Sequence, residues 1–198
     1  MNSVYLASGN HLADMILYLA RLGQSTGRVG AASGPSHSLT AAQWTALRYF
    51  ARANRFSRTP SAFSDFHATT RGTASQTVKS LVGMGLLARR THATDGRSTL
   101  IEVTDAGRGV LEQDPLRDLR HVLDQLDPKT RLALSEALDQ AIAGLAQSRN
   151  APVFGSCADC SHCQIAEASS YCHCTQSLLT LPEMNEICVD FHPNRRPA

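Results

Sequence analysis

No cysteine occurs in the first 156 of the chain's 198 residues, and all six fall between positions 157 and 188: Cys157, Cys160, Cys163, Cys172, Cys174 and Cys188. Such a distribution divides the chain into two parts that must fold by different means. The first has to be held by apolar burial alone. The second, about forty residues with few large apolar groups, buries too little surface to fold by itself, and a metal can supply the missing free energy. Helical periodicity stops near Arg149, and Asn150-Ala151-Pro152 followed by Gly155 reads as a linker. The expected domains are therefore residues 1–149 and 150–198.

Charge follows the same division. The net charge of +2 conceals 17 Lys and Arg against 12 Asp and Glu in residues 1–150, and 2 against 5 in the tail. Between Arg48 and Arg97 the excess sharpens to nine basic residues (Arg48, Arg52, Arg55, Arg58, Arg71, Lys79, Arg89, Arg90 and Arg97) against Asp65 and Asp95. A patch of that sign suits a polyanion. Composition alone would equally allow a solvated face.

Helix punctuation favours the first reading. In LTAAQW, Thr40 suits an N-cap with Gln43 reaching back, and Leu39 can staple onto Trp44, which predicts a helix from about Ala41 to Ala53. Thr59-Pro60 opens a second, carrying Phe63 and Phe66 inward and ending near Thr69. In TRGTASQTVKSLVGMG, Thr73 with Gln76 forms another capping-box pattern, and Gly85 is placed to end the third helix. That helix divides by face. Ala74, Val78, Leu81 and Val82 form an apolar stripe, while Ser75, Gln76 and Lys79 share the opposite side with Thr77 and Ser80 beside them. Short hydroxyl and amide side chains can enter a major groove, and Lys79 can meet a phosphate.

Two strand-like runs follow, Leu86–Thr91 and Ser98–Thr104, around the turn formers Thr94, Asp95 and Gly96. Arg97, steadied by Asp95, is expected to insert into a minor groove, with Arg89 and Arg90 at the base within reach of phosphates. A helix-turn-helix followed by such a hairpin is a winged helix, a mainly α fold of the α+β kind.

Over roughly residues 10–147 the sequence resembles the MarR family of bacterial transcription regulators, through LTAAQWTAL, GTASQTVKSLVGMGLLAR, TDGRS at the wing and IEVTDAG after it. The D-x-R wing followed by V-T-x-x-G carries most of the resemblance, although TDGRS is compact for such a wing. The resemblance implies a homodimer with interleaved first and last helices. Leu12, Met15, Ile16, Leu19 and Leu22 form one apolar stripe, and Leu134, Leu138, Ile142 and Leu145 another in a helix opened by Asp127-Pro128. The DNA-contacting residues expected on this basis are Arg71, Thr73, Ser75, Gln76, Thr77, Lys79, Arg89, Arg90, Asp95 and Arg97.

The motifs GxSxG, GxxxxGK[ST] and HExxH are absent, His67, His92 and His121 stand singly, and Asp114, Asp118 and Asp124 are spaced like a solvated helix face, so no enzyme is expected. The opening MNSVYLASGNHL lacks a secretory pattern and no stretch suits a membrane span, which points to the cytoplasm. In a reducing compartment clustered cysteines favour metal. The pattern C-x2-C-x2-C-x8-C-x-C-x13-C suits tetrahedral zinc held by Cys157, Cys160, Cys172 or Cys174, and Cys188, leaving Cys163 and one other spare. An iron-sulfur cluster and a metal-free thiol switch remain open.

The expected protein is a homodimeric regulator that binds a pseudo-palindromic DNA operator. A small-molecule effector is compatible with it, and its tail would bind, and sense, a metal or redox state. The alternative is a redox or metal-handling protein that uses its winged helix to contact other proteins.

Overall fold

The computed structural model describes residues 7–24, 39–91, 99–165 and 169–194. Helix α1 (Gly9–Gln24) is followed by α2 (Ala41–Arg52), α3 (Pro60–Phe66) and α4 (Arg71–Gly83). An antiparallel hairpin, β1 (Leu87–Thr91) and β2 (Thr99–Val103), precedes α5 (Asp105–Leu111), α6 (Leu116–Asp124) and α7 (Pro128–Arg149). The residues beyond α7 form small β structure.

Local chemistry sets most helix starts. At α2 the Thr40 hydroxyl accepts from the Gln43 backbone N–H at 3.3 Å, and the Gln43 side-chain oxygen Oε1 accepts from the Thr40 N–H at 2.8 Å, as expected. Thr59 caps α3 with Pro60 at its first position, and Asp127 caps α7 through the N–H groups of Lys129 and Thr130. Two boundaries differ from expectation. Helix α3 stops at Phe66, because Ala68 adopts φ 48° and the Thr69 N–H returns to the Ser64 carbonyl. Helix α4 then starts a turn early, with Thr70 as its cap accepting from the Thr73 N–H at 3.2 Å. Thr73 is thus a helical residue. Gly85, at φ 72°, ends the helix in the left-handed region.

The core joins α2, α3, α4 and the hairpin. Tyr49, Phe50 and Phe63 are fully buried, with ring centroids 5.2 to 5.6 Å apart, and Phe66 lies 4.8 Å from Tyr49. Ala74, Val78 and Leu81 turn the inner face of α4 onto this cluster. The V-T-x-x-G step has a steric cause. Thr104 caps α5, accepting from the Gly107 N–H at 3.1 Å while its hydroxyl donates to the Gly85 carbonyl at 2.6 Å. A Cβ on Gly107 would collide with the Leu86 carbonyl and the Val103 side chain.

One expectation fails at α5 and α6, which periodicity does not separate. Asp114 lies between them, buried, with its carboxylate held by Arg48 at 2.6 Å and Arg120 at 3.2 Å. It is not part of a solvated face, because Arg48 reaches it from α2, 66 residues away. Asp118 and Asp124 are exposed as expected. Burial pushes the Asp114 carboxyl up, but hydrogen bonds from Arg48 and the Leu116 N–H, with the charges of Arg48 and Arg120, outweigh it and hold the carboxyl below its usual value. A depressed carboxylate contributes stability above its unfolded pKa of about 4, and loses it as pH falls through the lower folded value. Replacing Asp114 with Ala should therefore cost about 3 kcal/mol near neutrality, at the lower end for a broken buried pair since Arg48 keeps some solvent. Denaturant unfolding should show that cost shrinking below about pH 4.

Candidate nucleic-acid interface and thiol site

Helix α4 presents Arg71, Thr73, Ser75, Gln76 and Lys79 to solvent on the side away from Ala74, Val78 and Leu81. Three of its hydroxyls are engaged elsewhere, that of Thr73 with the Thr70 hydroxyl at 2.9 Å. The Thr77 hydroxyl donates to the Thr73 carbonyl at 3.1 Å, and Ser80 Oγ accepts from Gln43 Nε2 at 3.0 Å, which ties α4 to the start of α2. Arg71, in the first turn of α4, enters the helix only because Thr70 is the cap.

In the hairpin, Ala88 pairs with Glu102 and Arg90 with Leu100, which puts Arg90 diagonal to Glu102 on one face. Their side chains meet at 2.9 Å, so Arg90 is partly neutralised, while Arg89 is exposed. Asp95 and Arg97 lie outside the described residues, as does His92. His67 stacks on Phe63 and His121 hydrogen-bonds Gln125, both ordinary structural contacts.

A two-helix motif capped by threonines, an exposed polar face on its second helix and an antiparallel hairpin behind it make a winged helix-turn-helix. Residues 37–98 match the family model described as MarR family. The chain has a winged helix-turn-helix fold, and over those residues it is similar to the MarR family. Among solved structures similar to this fold are the S. aureus MepR–DNA complex (TM-score 0.53, 17% identity, covering 70% of this chain and 96% of that one) and the transcriptional regulator SlyA (0.53, 18%, 69% and 95%). A MarR transcriptional regulator from Methanosarcina mazei Go1 is comparable (0.52, 21%, 70% and 98%). No curated protein matches the chain in sequence. Each of these structures leaves about 30% of the present chain unmatched.

Beyond α7, Asn150 ends the helix at φ 49°. Strand β3 (Gly155–Ser156) pairs with β7 (Ile187–Cys188), and β4 (Cys163–Ile165), β5 (Ser170–Cys172) and β6 (Ser177–Leu179) form a small antiparallel meander. Its register sets Cys163 opposite Cys172. Cys157-x2-Cys160-x2-Cys163 makes two successive turns, with Cys160 N–H to Cys157 O at 3.3 Å and Cys163 N–H to Cys160 O at 3.1 Å. The Cys160 sulfur accepts from the His192 N–H at 3.4 Å, and Cys163 contacts the Met184 sulfur at 3.8 Å.

Cys157, Cys160, Cys172 and Cys188 are buried, Cys163 is half-buried and Cys174 is exposed, all as free thiols. Burial, followed by the neighbouring Cys188, Cys163, Cys172 and Cys160, pushes the Cys157 thiol up to about 12. Cys157 is thus within electrostatic range of four other thiols. Among the described residues, no three Cys, His, Asp or Glu side chains form a metal-ready group. Cys157, Cys172 and half-buried Cys163 pack with Leu179 and Met184, which are the apolar filling of this small module. Thiolates, not thiols, are the nucleophiles. Iodoacetamide applied to the native, metal-free chain at pH 8 should accordingly label exposed Cys174 first and Cys157 last, as peptide mass mapping over time would show.

What periodicity could not show is where this tail goes. It returns to the turn between α2 and α3. Ile187 bridges Ala53, the Asn54 N–H donates to the Ile187 carbonyl at 2.9 Å, and the Val189 N–H donates to Ser57 Oγ at 2.9 Å. Arg55 reaches the Leu178 carbonyl at 2.8 Å and Glu183 at 3.3 Å, and Arg58 reaches Glu186 at 3.4 Å. Phe154 sets its ring edge-on to Phe66, 5.2 Å between centroids. These contacts engage two of the nine clustered cations, Arg55 and Arg58, with the acidic tail. A third, Arg48, is engaged with Asp114.

Proposed function

We propose that the protein is a MarR-type transcription regulator that binds a pseudo-palindromic DNA operator as a homodimer, with a cysteine-rich tail that holds a metal or cluster. One observation carries the DNA reading: Ser75, Gln76 and Lys79 are exposed together on the second helix of the motif, with Arg89 exposed on the wing behind it. None of the side-chain hydrogen bonds that hold α4 uses Ser75, Gln76 or Lys79. Amide and hydroxyl groups there suit base edges, and Lys79, Arg71 and Arg89 suit phosphates. S. aureus MepR, a protein of similar fold, has been solved as a complex with DNA, which supports the same use here. No catalytic role forms part of this reading.

The homodimer accounts for the outer helices. Helix α1 has no buried residue, and Leu12, Met15, Ile16, Leu19 and Leu22 are each about half exposed. In α7 only Ala146 is buried, and Ile142 and Leu145 remain more than 50% exposed. Apolar stripes of that length on two helices need a cover, and a second copy of the chain supplies a matching pair. No helix among the described residues is long and apolar enough to cross a membrane.

For the tail, Cys157, Cys160, Cys172 and Cys188 would hold a zinc ion as thiolates, with Cys163 beside them and exposed Cys174 the spare, and an iron-sulfur cluster would draw on the same five sulfurs. Metal content and an absorption spectrum of chain purified without oxygen distinguish these, and zinc or iron lost on replacing Cys157 or Cys188 with Ser is the expected outcome. Neither metal in the purified chain would remove the tail reading.

The DNA reading is tested with a duplex recovered from a random-sequence pool by the full-length chain. Gln76→Ala should weaken binding by about 1 to 3 kcal/mol and relax specificity at one position in each half-site. Ile16→Glu combined with Ile142→Glu should give a monomer by sedimentation and a large loss of affinity, because two linked half-sites gain through effective concentration. Unchanged affinity in Gln76→Ala would take α4 out of the interface.

A further inference from the structure

Residues 112–115, between α5 and α6, carry the chain out of the winged helix and into the outer helices. Helix α5 belongs to the winged helix. Its Gly107 lies against the Leu86 carbonyl, its cap Thr104 is bound to Gly85, and Val110 and Leu111 pack on the main core. Helix α6 belongs to the outer set. A Cβ on Gly23 of α1 would come within 3.0 and 3.1 Å of Leu119 and Leu116, so α1 lies close on α6, and Arg131 of α7 reaches Asp124 of α6 at 3.5 Å.

At this joint stands Asp114, buried, and its one carboxylate is gripped from both sides. From α2, Arg48 donates to Oδ1 through Nε at 2.9 Å and Nη2 at 2.6 Å. From α6, the Leu116 N–H donates to the same oxygen at 2.9 Å, and Arg120, one turn further on, meets Oδ2 at 3.2 Å. The Asp114 carbonyl accepts from the Arg117 N–H at 2.9 Å. Arg48 is itself held, its guanidinium 5.3 Å over the Trp44 ring. Charge-assisted bonds at the first and second turns of α6 fix both where that helix begins and how it is rolled against α2.

Resting on the homodimer and DNA readings, we propose that Asp114 is a positioning residue: held by Arg48 of α2 and by Arg120 and the Leu116 N–H of α6, it sets the angle between the winged helix and the outer helices, and with it the half-site separation that the dimer accepts. The lever is long. Helix α7, with 22 residues, extends about 33 Å. On such a length a tilt of about 5° moves the far end by about 3 Å, near the rise of one base pair. A joint fixed in advance favours one spacing, because the second half-site is then met without further loss of freedom. A loosened joint reaches several spacings and favours none.

The test uses the full-length chain, the duplex selected from the random pool, versions of it with the central spacer one base pair longer or shorter, and a duplex carrying a single half-site. The wild-type chain should bind the selected duplex at least about tenfold more tightly than either altered spacer. Asp114→Asn keeps the size and an acceptor but removes the charge, and should narrow that ratio to within about threefold while the chain stays dimeric by sedimentation and its single half-site affinity is unchanged. Arg120→Ala, at a half-exposed residue, should narrow the ratio part of the way, and Arg120→Lys should restore it. A merely structural role would weaken all duplexes alike, so a wild-type ratio persisting in Asp114→Asn and Arg120→Ala would overturn the positioning role. A wild-type dimer indifferent to the spacer would also overturn it and leave the homodimer reading standing. A wild-type chain that sediments as a monomer and binds one half-site as tightly as two would overturn both. Arg120→Ala decides the matter even if Asp114→Asn does not fold.

Discussion

The helix-turn-helix, the wing and the tail all meet at one buried polar turn. Between Ala53 and Arg58 the chain leaves α2 and must enter α3, with Ala53, Asn54 and Ser57 buried. An unpaired buried N–H or carbonyl costs about as much as a lost hydrogen bond, so each must find a partner. Tyr49, Asn54, Ser57 and Ile101 supply some of these and the tail supplies the rest. Burial pushes the Tyr49 phenol up, followed by the charges of Cys188 and Asp65, which keeps it a neutral donor to the Ser57 carbonyl. Remove the tail and the Asn54 N–H and the Ser57 hydroxyl lose these protein partners.

Two kinds of cohesion meet at that turn. On one side Tyr49, Phe50, Phe63, Leu81, Leu86, Leu87 and Ile101 are packed almost without exposure, and apolar burial is enough. On the other, the tail packs sulfur against sulfur with Leu179 and Met184 as filling. Ile187 and Val189 belong to the tail by sequence and to the main core by contact. The acidic charge of the tail then has a structural use, as Glu183 and Glu186 face Arg55 and Arg58. Such partly exposed pairs contribute little energy singly, and their value here is in fixing where the module sits.

How much of this is legible in the sequence depends on how far apart the interacting residues stand. Thr40 with Gln43, Thr59 with Pro60, and Asp127 with Pro128 act within four residues, so three helix starts can be read directly. The start of α4 is easily misplaced because T-x-x-T and T-x-x-Q overlap in TRGTASQ, and only the reversal at Ala68 selects Thr70. Asp114 reads as solvated since its partner Arg48 lies 66 positions away on another helix. The turn at Asn54 gives no signal, because a lone asparagine before a phenylalanine is common in loops and its worth comes from strand β7, over 130 residues later. The cysteines announce a thiol module, but spacing cannot separate Cys172 from Cys174, which burial does.

Helix α4 is secured from behind and from its ends. Thr70 caps it, Ala74, Val78 and Leu81 seat it, Gly85 stops it and Gln43 grips Ser80. Its outward side chains at 75, 76 and 79 carry none of that load. If α4 reads DNA as proposed, a lineage descended from this chain could therefore rewrite those three positions, drifting toward new target sequences through single changes, while each intermediate kept the same fold and melting behaviour. The inner residues have no such licence: a duplicated copy would diverge in what it reads long before it diverged in how it stands.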